Sequence, residues 1–271
     1  MDSNTKRDQL LQILRELGSC AVAFSGGLDS SVLAKAAQLA LGDRAVAVTA
    51  VSESMPHGEL EACRALARQI GIRHEVVQTQ ELSNPDYQRN EGDRCYHCKL
   101  EILRQIEEVA RQLNLAVVID GANLDDQSDY RPGLQAARER HVRSPLAECG
   151  LTKAEIRQLA TDWELPTWNK PSMPCLSSRI AYGEPITAER LAMIDQAEQF
   201  LRARGFQPLR VRYHKGDAAR IEIALAALPQ LLDASLREAL IAHFKSLGFK
   251  FIALDLEGFR SGSLNDLLPK G

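Results

Sequence analysis

The sequence is poor in the features that mark membrane, secreted and nucleic-acid-binding proteins. Its first residues, MDSNTKRDQLLQILRELG, carry charges throughout and no long apolar run, which argues against a signal peptide and a membrane anchor. Six cysteines are too sparse in 271 residues for a secreted disulfide framework. With a net charge of -3, the chain has no general electrostatic attraction for RNA or DNA. We therefore expect a cytoplasmic protein that binds neither nucleic acid nor membrane.

Alternating strand and helix patterns predict an α/β protein with a doubly wound parallel sheet. Short apolar runs predict the strands, and apolar residues at helical spacing predict the helices between them. The predicted strands are 20–24, 45–51, 73–78 and 116–120. The predicted helices are 10–17, 30–41, 59–70, 99–113 and 152–163. Ser30 is expected to cap the second of these helices, and Thr152 with Glu155 to form a capping box on the last.

A proline-rich segment at 165–174 interrupts this pattern, because proline continues neither a helix nor a central strand. We place a domain boundary here, with a larger domain at 1–170 and a second, smaller α+β domain at 171–271. The elements predicted for the smaller domain are a helix at 187–204 and strands at 209–213, 220–223 and 250–255.

A loop rich in serine and glycine, FSGGLDSS, joins the first predicted strand to its helix. In a doubly wound sheet this position opens into the ligand crevice. Gly26 and Gly27 let the backbone approach phosphate oxygens, and Ser25 and Ser30 offer hydroxyl donors. Asp29 is expected to hold magnesium. Since no lysine follows the last glycine, this is not a Walker loop, and the pattern predicts nucleotide binding without γ-phosphoryl transfer.

A second polar loop, DGANLDD, follows the predicted strand 116–120 and should reach the same crevice. Gly121 and Asn123 are assigned to the nucleotide. Asp125 is our candidate for a second magnesium contact, since Mg²⁺ takes one or two protein carboxylates and keeps several waters. Asp126 could equally cap a helix, so part of this loop has an ordinary structural interpretation as well.

Two groups of cysteines differ in their surroundings. Cys95 and Cys98 have a spacing that serves zinc, iron–sulfur clusters and redox pairs equally well. Cys175 comes just after the proline-rich segment, where a cleft between domains would place reactive groups. The other cysteines lie among apolar or helical residues and are expected to be small buried hydrophobes: Cys20, Cys63 and Cys149.

Cationic side chains alternate along one strand of the smaller domain. Arg210, Arg212 and His214 should share one face of the strand at 209–213 and its continuation. Arg220 and Glu222 alternate likewise on the paired strand. This pattern predicts a site for a phosphate or carboxylate group, oriented by guanidinium forks. The alternative is a solvated sheet face with cross-strand ion pairs.

The SGGLDS motif is the signature of PP-loop ATP pyrophosphatases, which attack the α-phosphorus of ATP and release pyrophosphate. Further motifs narrow the resemblance along nearly the whole chain: DRCYHCK, DGANLDD, DYRPG, SPL, PCLSSRI and DLEGFRSG. Together they resemble the LarE family. That resemblance implies the PP-loop, adenine nucleotide alpha hydrolase-like fold and an ATP- and Mg²⁺-dependent sulfurtransferase. The implied substrate is a pyridinium dicarboxylate mononucleotide, on the way to the nickel-pincer nucleotide cofactor of lactate racemase.

Two sulfur sources stay open under this resemblance. Cys95, Cys98 and Cys175 match a three-cysteine subgroup and could hold a 4Fe-4S cluster whose fourth iron binds an extra sulfide. In other members the cysteine that matches Cys175 gives up its own sulfur and becomes dehydroalanine. The resemblance also implies a homo-oligomer.

Further site residues follow from the family-like motifs and from charge. Lys99 and Arg131 are candidates to neutralise the leaving pyrophosphate, although either could be a solvated surface charge. The resemblance adds Arg179, Glu184 and Arg260 to the substrate site. The residues assigned to catalysis itself are Cys175, Asp29 and Lys99. Two rival functions in the same superfamily are a tRNA thiolase and an ammonia-dependent amide synthetase.

Overall fold

The structure of the protein is a computed structural model that describes residues 3–128, 132–171, 173–260 and 262–267. The chain forms two compact units. The first unit comprises Met1–Ser52, Gly58–Glu81 and Cys95–Met173. The second comprises Glu53–His57, Leu82–Arg94 and Pro174–Gly271. The main division thus falls at Met173, and two short upstream segments belong to the second unit, which the sequence pattern did not indicate.

The first unit contains a parallel four-stranded sheet. Its strands stand in the order β3-β2-β1-β4, with Ala23 of β1 opposite Val48 of β2 and Val22 opposite Ile119 of β4. The strands are β1 (Cys20–Ala23), β2 (Ala45–Val51), β3 (Arg73–Gln78) and β4 (Val117–Ile119). The helices of this unit are α1 (Ser3–Leu17), α2 (Leu28–Leu41), α3 (Glu59–Ile70), α5 (Arg94–Gln112), α6 (Pro132–Glu139), α7 (Pro145–Glu148) and α8 (Lys153–Asp162).

Helices cover both faces of this sheet because strands β1, β2 and β4 are apolar on both sides. Neighbouring residues of a strand point to opposite faces, so Cys20 and Val22 pack against one set of helices while Ala21 packs against the other. The first core includes residues of α1, α2, α3 and α8, and the second includes Leu103 and Ile106 of α5. The predicted doubly wound α/β class is confirmed.

The chain passes from β1 outward through β2 and β3, and β4 then pairs with the other side of β1. The order of the strands therefore reverses between β1 and β4. In a doubly wound sheet this reversal separates the loops that follow the two strands and opens a crevice at their carboxyl ends. Both polar loops singled out in the sequence, at 24–31 and 120–126, lie at this point.

The second unit contains a three-stranded sheet in the order β5-β6-β7. Its strands are β5 (Leu209–His214), β6 (Ala218–Ile223) and β7 (Phe251–Leu254), with β5 antiparallel and β7 parallel to β6. Its helices are α4 (Pro85–Gln88), α9 (Ala188–Arg202) and α10 (Ala234–Ser246). Helix α9 packs against β5, and Thr187 caps it by accepting a hydrogen bond from the N–H of Arg190 at 3.3 Å. The predicted smaller α+β part is present.

Helix starts differ from prediction at one important position. Helix α2 begins at Leu28 with Gly27 as its N-cap, so the predicted cap Ser30 lies inside the first turn instead. The Thr152 and Glu155 capping box is confirmed. In the part of the chain that the structure describes, no helix combines the length and apolar character required to cross a membrane.

Candidate active site

The serine- and glycine-rich loop at 24–31, which we call the phosphate loop, is held together by hydrogen bonds to its serine hydroxyls. Ser25 and Ser30 place their hydroxyl oxygens 3.1 Å apart, and the N–H groups of Ser25 and Gly27 donate to Oγ of Ser30 and Ser25, at 3.3 and 3.4 Å. Gly26 has a φ of 66°, in the left-handed region that favours glycine. Two N–H groups and two hydroxyls therefore converge at the start of α2, where the helix dipole favours an anion.

The loop after β4 lies directly against the start of α2. A Cβ at Gly121 would stand 3.0 Å from the backbone nitrogen of Ser30 and 3.2 Å from the carbonyl carbon of Asp29. Only a residue without a side chain allows the two backbones to approach so closely. The predicted nucleotide residues Asp29, Ser30 and Gly121 are thus brought together.

Asp29 is held by an amide and an ammonium group. Asn123 is buried and donates from Nδ2 to Oδ1 of Asp29 at 3.2 Å. Lys153, the first residue of α8, donates from Nζ to Oδ2 of the same carboxylate. The side chain of Lys153 therefore contacts the carboxylate that the sequence analysis assigns to magnesium. The arrangement supplies a hard oxygen ligand beside a phosphate loop, which fits the one or two protein carboxylates that Mg²⁺ takes.

The other two acidic residues of the DGANLDD loop act as backbone acceptors. Asp125 accepts the N–H of Lys153 at Oδ2, at 2.8 Å, and Asp126 accepts the N–H of Asn123 at 3.1 Å. Asn123 in turn accepts the N–H groups of Asp125 and Asp126, at 2.9 and 3.3 Å. Asp125 therefore fixes the start of α8 and so the position of Lys153, and its magnesium contact stays a prediction.

Lys99 pairs with a buried carboxylate that the sequence analysis had not assigned. Its Nζ lies 3.0 Å from Oδ2 of Asp120, whose other oxygen accepts the hydroxyl of Ser144 at 2.8 Å and the N–H of Ala122 at 3.3 Å. Burial opposes ionisation of Asp120, but Lys99 and these donors outweigh it and hold the pKa of the carboxyl below its ordinary value. Lys99 is thus tethered at the end of β4. Arg131, its predicted companion, lies outside the described residues.

Cys175 lies in the second unit at the start of a short 3-10 helix, Leu176–Arg179. Its side chain is partly exposed, whereas its carbonyl accepts the hydroxyl of Ser178 and the guanidinium of Arg179, both at 2.7 Å. The N–H of Leu176 donates to Ser54 at 2.7 Å. The backbone around Cys175 is therefore fixed while its thiol stays accessible.

Arg179 is fully buried, which a substrate-facing assignment had not anticipated. Its guanidinium lies 3.1 Å from Glu198 and also donates to the carbonyl of Pro174. Glu198 is equally buried and accepts the N–H of Val211 at 3.1 Å. These contacts tie the Cys175 segment to α9 and β5, and substrate contact by Arg179 stays a prediction.

The alternating arginines of β5 are buried and belong to one charged cluster. Arg212 lies 2.9 Å from Glu222 of β6, and Arg220 lies 3.2 Å from the same carboxylate. Ser263 donates to Glu222 at 2.5 Å. Burial, followed by the charge of Arg179, lowers the pKa of Arg210 to about 10. Arg210 and Arg212 are only 6% and 4% exposed, so this face of the sheet is not solvated, whereas the cross-strand ion pair of the alternative interpretation is present between Arg212 and Glu222.

Two weaker substrate candidates lie in local ion pairs. Glu184 is 3.3 Å from Arg190, and Arg260 pairs with Glu257 at 2.5 Å. His214, on the face of β5 that carries Arg212, is partly buried, and burial followed by the nearby Arg220 lowers the pKa of its imidazole. None of these contacts assigns a ligand, so the two substrate roles stay predictions.

The cysteines separate into accessible and buried thiols. Cys95 is exposed and Cys98 partly exposed in the first turns of α5, where a three-residue separation puts both on one side of the helix. The remaining thiols are buried as predicted, and burial raises the pKa of Cys20 to about 12 and of Cys149 to about 11. Among the described residues, no group of three or more metal-binding side chains is assembled.

Lys153 is, like Asp120, a site residue that sequence reasoning missed. A lysine at the first position of an ordinary capped helix reads as a solvated charge, and only the fold brings it to Asp29, 124 positions away. The one available signal was the capping box, which predicted the start of α8 and so the place where this helix meets the crevice.

Comparison with known proteins agrees with this geometry. A family model described as asparagine synthase matches residues 10–88. The chain is 48% identical over 267 residues to an uncharacterized protein of Synechocystis sp., covering 98% of this chain and 99% of that protein. It is 37% identical over 267 residues to the pyridinium-3,5-bisthiocarboxylic acid mononucleotide synthase of Lactiplantibacillus plantarum, covering 98% and 96%. It is 27% identical over 215 residues to the glutamine-hydrolyzing GMP synthase of Aeropyrum pernix, covering 70% and 41%.

A phosphate loop without a Walker lysine, at the reversal point of a parallel sheet, defines the PP-loop class of ATP-dependent enzymes. The match to the Lactiplantibacillus plantarum synthase extends over nearly the full length of both chains at 37% identity. The chain therefore belongs to the LarE family, as its sequence motifs predicted, and is an ATP-using enzyme of the synthase type.

Proposed function

We propose that this chain adenylates a carboxylate of a pyridinium dicarboxylate mononucleotide with ATP and replaces one carboxylate oxygen by sulfur. The product would serve assembly of the nickel-pincer nucleotide cofactor of lactate racemase. The observation that carries the proposal is the Asp29 carboxylate, held between Asn123 and Lys153 beside the phosphate loop. The activity for which the Lactiplantibacillus plantarum relative is named, pyridinium-3,5-bisthiocarboxylic acid mononucleotide synthase, supports the choice of substrate.

The loop residues would bind the β- and γ-phosphates as the pyrophosphate leaves. Ser25, Gly26, Gly27 and Ser30 supply the converging donors, and Gly121 leaves room for the second loop to approach. Magnesium on Asp29 would neutralise charge that develops on the phosphates, with Asp125 as the proposed second ligand. In-line attack on the α-phosphorus then depends on positioning rather than on a protein base.

Two lysines would stabilise the leaving pyrophosphate. Asp29 would hold magnesium through the carboxylate that Lys153 contacts, so Lys153 would be released and could donate to a phosphate oxygen. Lys99, whose Nζ lies 3.0 Å from Asp120, would donate to a second phosphate oxygen. Asn123, which donates to Asp29, would keep the carboxylate oriented during this exchange.

The second unit would recognise the anionic mononucleotide. Among its described residues, five guanidinium groups lie in the charged cluster with three carboxylates to balance them: Arg179, Arg202, Arg210, Arg212 and Arg220, against Glu198, Glu222 and Asp255. Arg179, Arg210 and Arg212 are the buried members of this cluster, and a ligand with a phosphate or carboxylate group would complement their guanidinium groups. We assign Arg210, Arg212 and Glu222 to this role, with Arg179, Glu184 and Arg260 as further contacts.

The sulfur would come through the accessible cysteines. Cys95, Cys98 and Cys175 are at least partly exposed, and three thiolates suffice to hold a 4Fe-4S cluster with one iron left open. Such a cluster, when bound, supplies an exchangeable sulfide. The alternative source is the Cys175 thiol itself, whose backbone is fixed by Ser178 and Arg179.

We further propose an ATP-binding role for residues 1–170 and a substrate-binding and oligomerisation role for residues 171–271, in a cytoplasmic homo-oligomer. The smaller part carries large exposed apolar side chains that such an assembly would cover: Leu225, Leu232, Ile241, Phe251 and Leu256.

A second candidate is an ammonia-dependent amide synthetase, which the asparagine synthase match and the GMP synthase relative favour.

Pyrophosphate release tests both candidate functions. Purified protein with ATP and magnesium should form AMP and pyrophosphate on addition of the pyridinium mononucleotide. Release that requires ammonia instead would support the amide synthetase, and release that requires tRNA would support a tRNA thiolase.

A further inference from the structure

A lysine of the proline-rich segment, Lys170, contacts the backbone of the phosphate loop. Nζ of Lys170 lies 3.3 Å from the carbonyl oxygen of Gly26 and 2.9 Å from Oε2 of Glu59. We propose that Lys170, oriented by Glu59, is a positioning residue that sets the peptide plane between Gly26 and Gly27 for binding of the nucleotide phosphates. This inference rests on the proposed use of ATP and adds a residue to that site.

The peptide geometry explains why a contact on the carbonyl controls a donor. In a trans peptide the C=O of one residue and the N–H of the next point in opposite directions within one plane. Lys170 holds the C=O of Gly26 on one side, and the N–H of Gly27 points the other way, to Oγ of Ser25 at 3.4 Å. Rotation of this plane would turn the Gly27 donor away from the converging serine hydroxyls. The lysine therefore acts through Gly27 rather than through direct contact with a ligand.

Cys63 packs directly against Gly26 of the loop. A Cβ at Gly26 would stand 2.8 Å from Sγ of Cys63, and the thiol is fully buried. Burial raises the pKa of this thiol, while the charges of Lys170 and Glu59 act on it in opposite directions. Gly26 thus has two neighbours from outside the loop, the buried thiol of Cys63 and the ammonium group of Lys170.

Lys170 is presented by a folded turn. The segment forms a 3-10 helix, Pro166–Asn169, and the N–H of Lys170 donates to Thr167 at 3.1 Å. Arg157 of α8 donates to the carbonyl of Trp168 at 3.0 Å, which attaches the turn to that helix. These contacts hold the lysine backbone near the loop. The segment predicted only as a domain boundary therefore contributes to the nucleotide site.

Two variants and their combination test this role: Lys170→Met, Glu59→Gln and the double variant. Lys250→Met is the matched control, because Lys250 also pairs with a carboxylate, Asp217 at 2.8 Å, but lies in the second unit. The readouts are the Kd of a non-hydrolysable ATP analogue with magnesium, by calorimetry, and the Tm of each protein. We expect Lys170→Met and Glu59→Gln each to raise Kd about tenfold with little change in Tm. The double variant should show about the same tenfold loss, because the two residues act as one unit.

The alternatives give different patterns. If Lys170 bound a phosphate directly, Glu59→Gln would leave binding unchanged or tighter, since it frees the ammonium group, and the positioning role would be overturned. A lower Tm of the Lys170 variant with unchanged Kd would reduce the contact to a structural one and would also overturn it. Failure of the unaltered chain to bind the analogue would contradict the proposed function itself, and normal binding by every variant would contradict this inference alone.

Discussion

Lys153 donates a hydrogen bond to the carboxylate of Asp29, so two residues far apart in the sequence form an ion pair at the end of the phosphate loop. The contact joins the first turn of α2 to the first turn of α8. Because a divalent cation at Asp29 would need the same carboxylate, the proposed function requires that metal binding release this lysine. Under the proposed function, Lys153 would compete with magnesium for Asp29 and, once released, would stabilise the leaving pyrophosphate.

Lys153→Met should therefore change two parameters in opposite directions. Without a competing ammonium group, Asp29 should bind magnesium more tightly, and the magnesium concentration for half-maximal activity should fall. The kcat for pyrophosphate release should fall about 10²-fold, because a cation that stabilises the leaving group is lost. A magnesium titration of the initial rate measures both. A fall in kcat without any change in the magnesium requirement would contradict competition for Asp29.

The close approach of the two loops gives a second prediction, for Gly121→Ala. The added methyl would meet the Ser30 nitrogen at 3.0 Å and the Asp29 carbonyl carbon at 3.2 Å, both backbone atoms that cannot rotate away. We expect a loss of about 1–3 kcal/mol in the free energy of unfolding and weaker nucleotide binding. Gly133→Ala is the control, since its methyl would meet its nearest neighbour at an ordinary 3.6 Å. Equal effects of the two changes on nucleotide binding would argue against this packing role.

The buried cluster of the second unit predicts a large loss of stability for Glu222→Gln. Glu222 is fully buried between Arg212 and Arg220, and removing its charge leaves two guanidinium groups without this partner. The free energy of unfolding should fall by about 3–5 kcal/mol in a urea titration. Glu257→Gln should cost about 1 kcal/mol or less, because Glu257 and its partner Arg260 are exposed. Similar losses of unfolding free energy for both variants would contradict the high cost of leaving buried guanidinium groups without the Glu222 carboxylate.

Asp120 gives the protein a defined dependence on acid. Its folded-state pKa lies below the ordinary value, so the unfolded chain takes up this proton at a higher pH than the folded chain. The stability that Asp120 contributes should be fully present above the ordinary carboxyl pKa of about 3.9 and lost as the pH falls through the lower folded-state value. Urea titrations of the unaltered chain and of Asp120→Asn measure the difference in unfolding free energy at each pH. A difference that stays constant in acid would contradict the ion pair with Lys99.

The sequence predicted the fold well because local patterns determined it. The helix at Glu59–Ile70 and the strands at Ala45–Val51 and Arg73–Gln78 have the predicted bounds, since their apolar spacing and flanking glycines agree. The meeting of Gly121 and Ser30 in one crevice was predicted because both loops follow strands of a doubly wound sheet, whereas the strand order that pairs β4 with β1 is known from the structure. Ser30 was wrongly expected to cap α2, because the loop glycine takes that position and leaves the serine hydroxyl inside the turn.

The missed parts of the site depend on contacts between distant residues. Nothing beside Lys153 or Lys170 in the sequence indicates Asp29 or Gly26 as its partner, and both lysines read as surface charges. Burial of Arg179 was equally hidden, because its partner Glu198 lies on a helix whose pattern does not announce a buried carboxylate. The roles of the cysteines could not be predicted from the fold, because their chemistry depends on a bound group.

ATP-dependent sulfur insertion is tested most directly by one measurement on anaerobically purified protein. Intact mass, iron, sulfide and pyrophosphate are followed before and after turnover with ATP, magnesium and the pyridinium mononucleotide. We predict pyrophosphate release, sulfur in the product, about four iron atoms per chain and an unchanged polypeptide mass. Loss of about 34 Da would assign the sulfur to the Cys175 thiol and contradict the cluster. A product without sulfur, with no pyrophosphate formed, would contradict the proposed function.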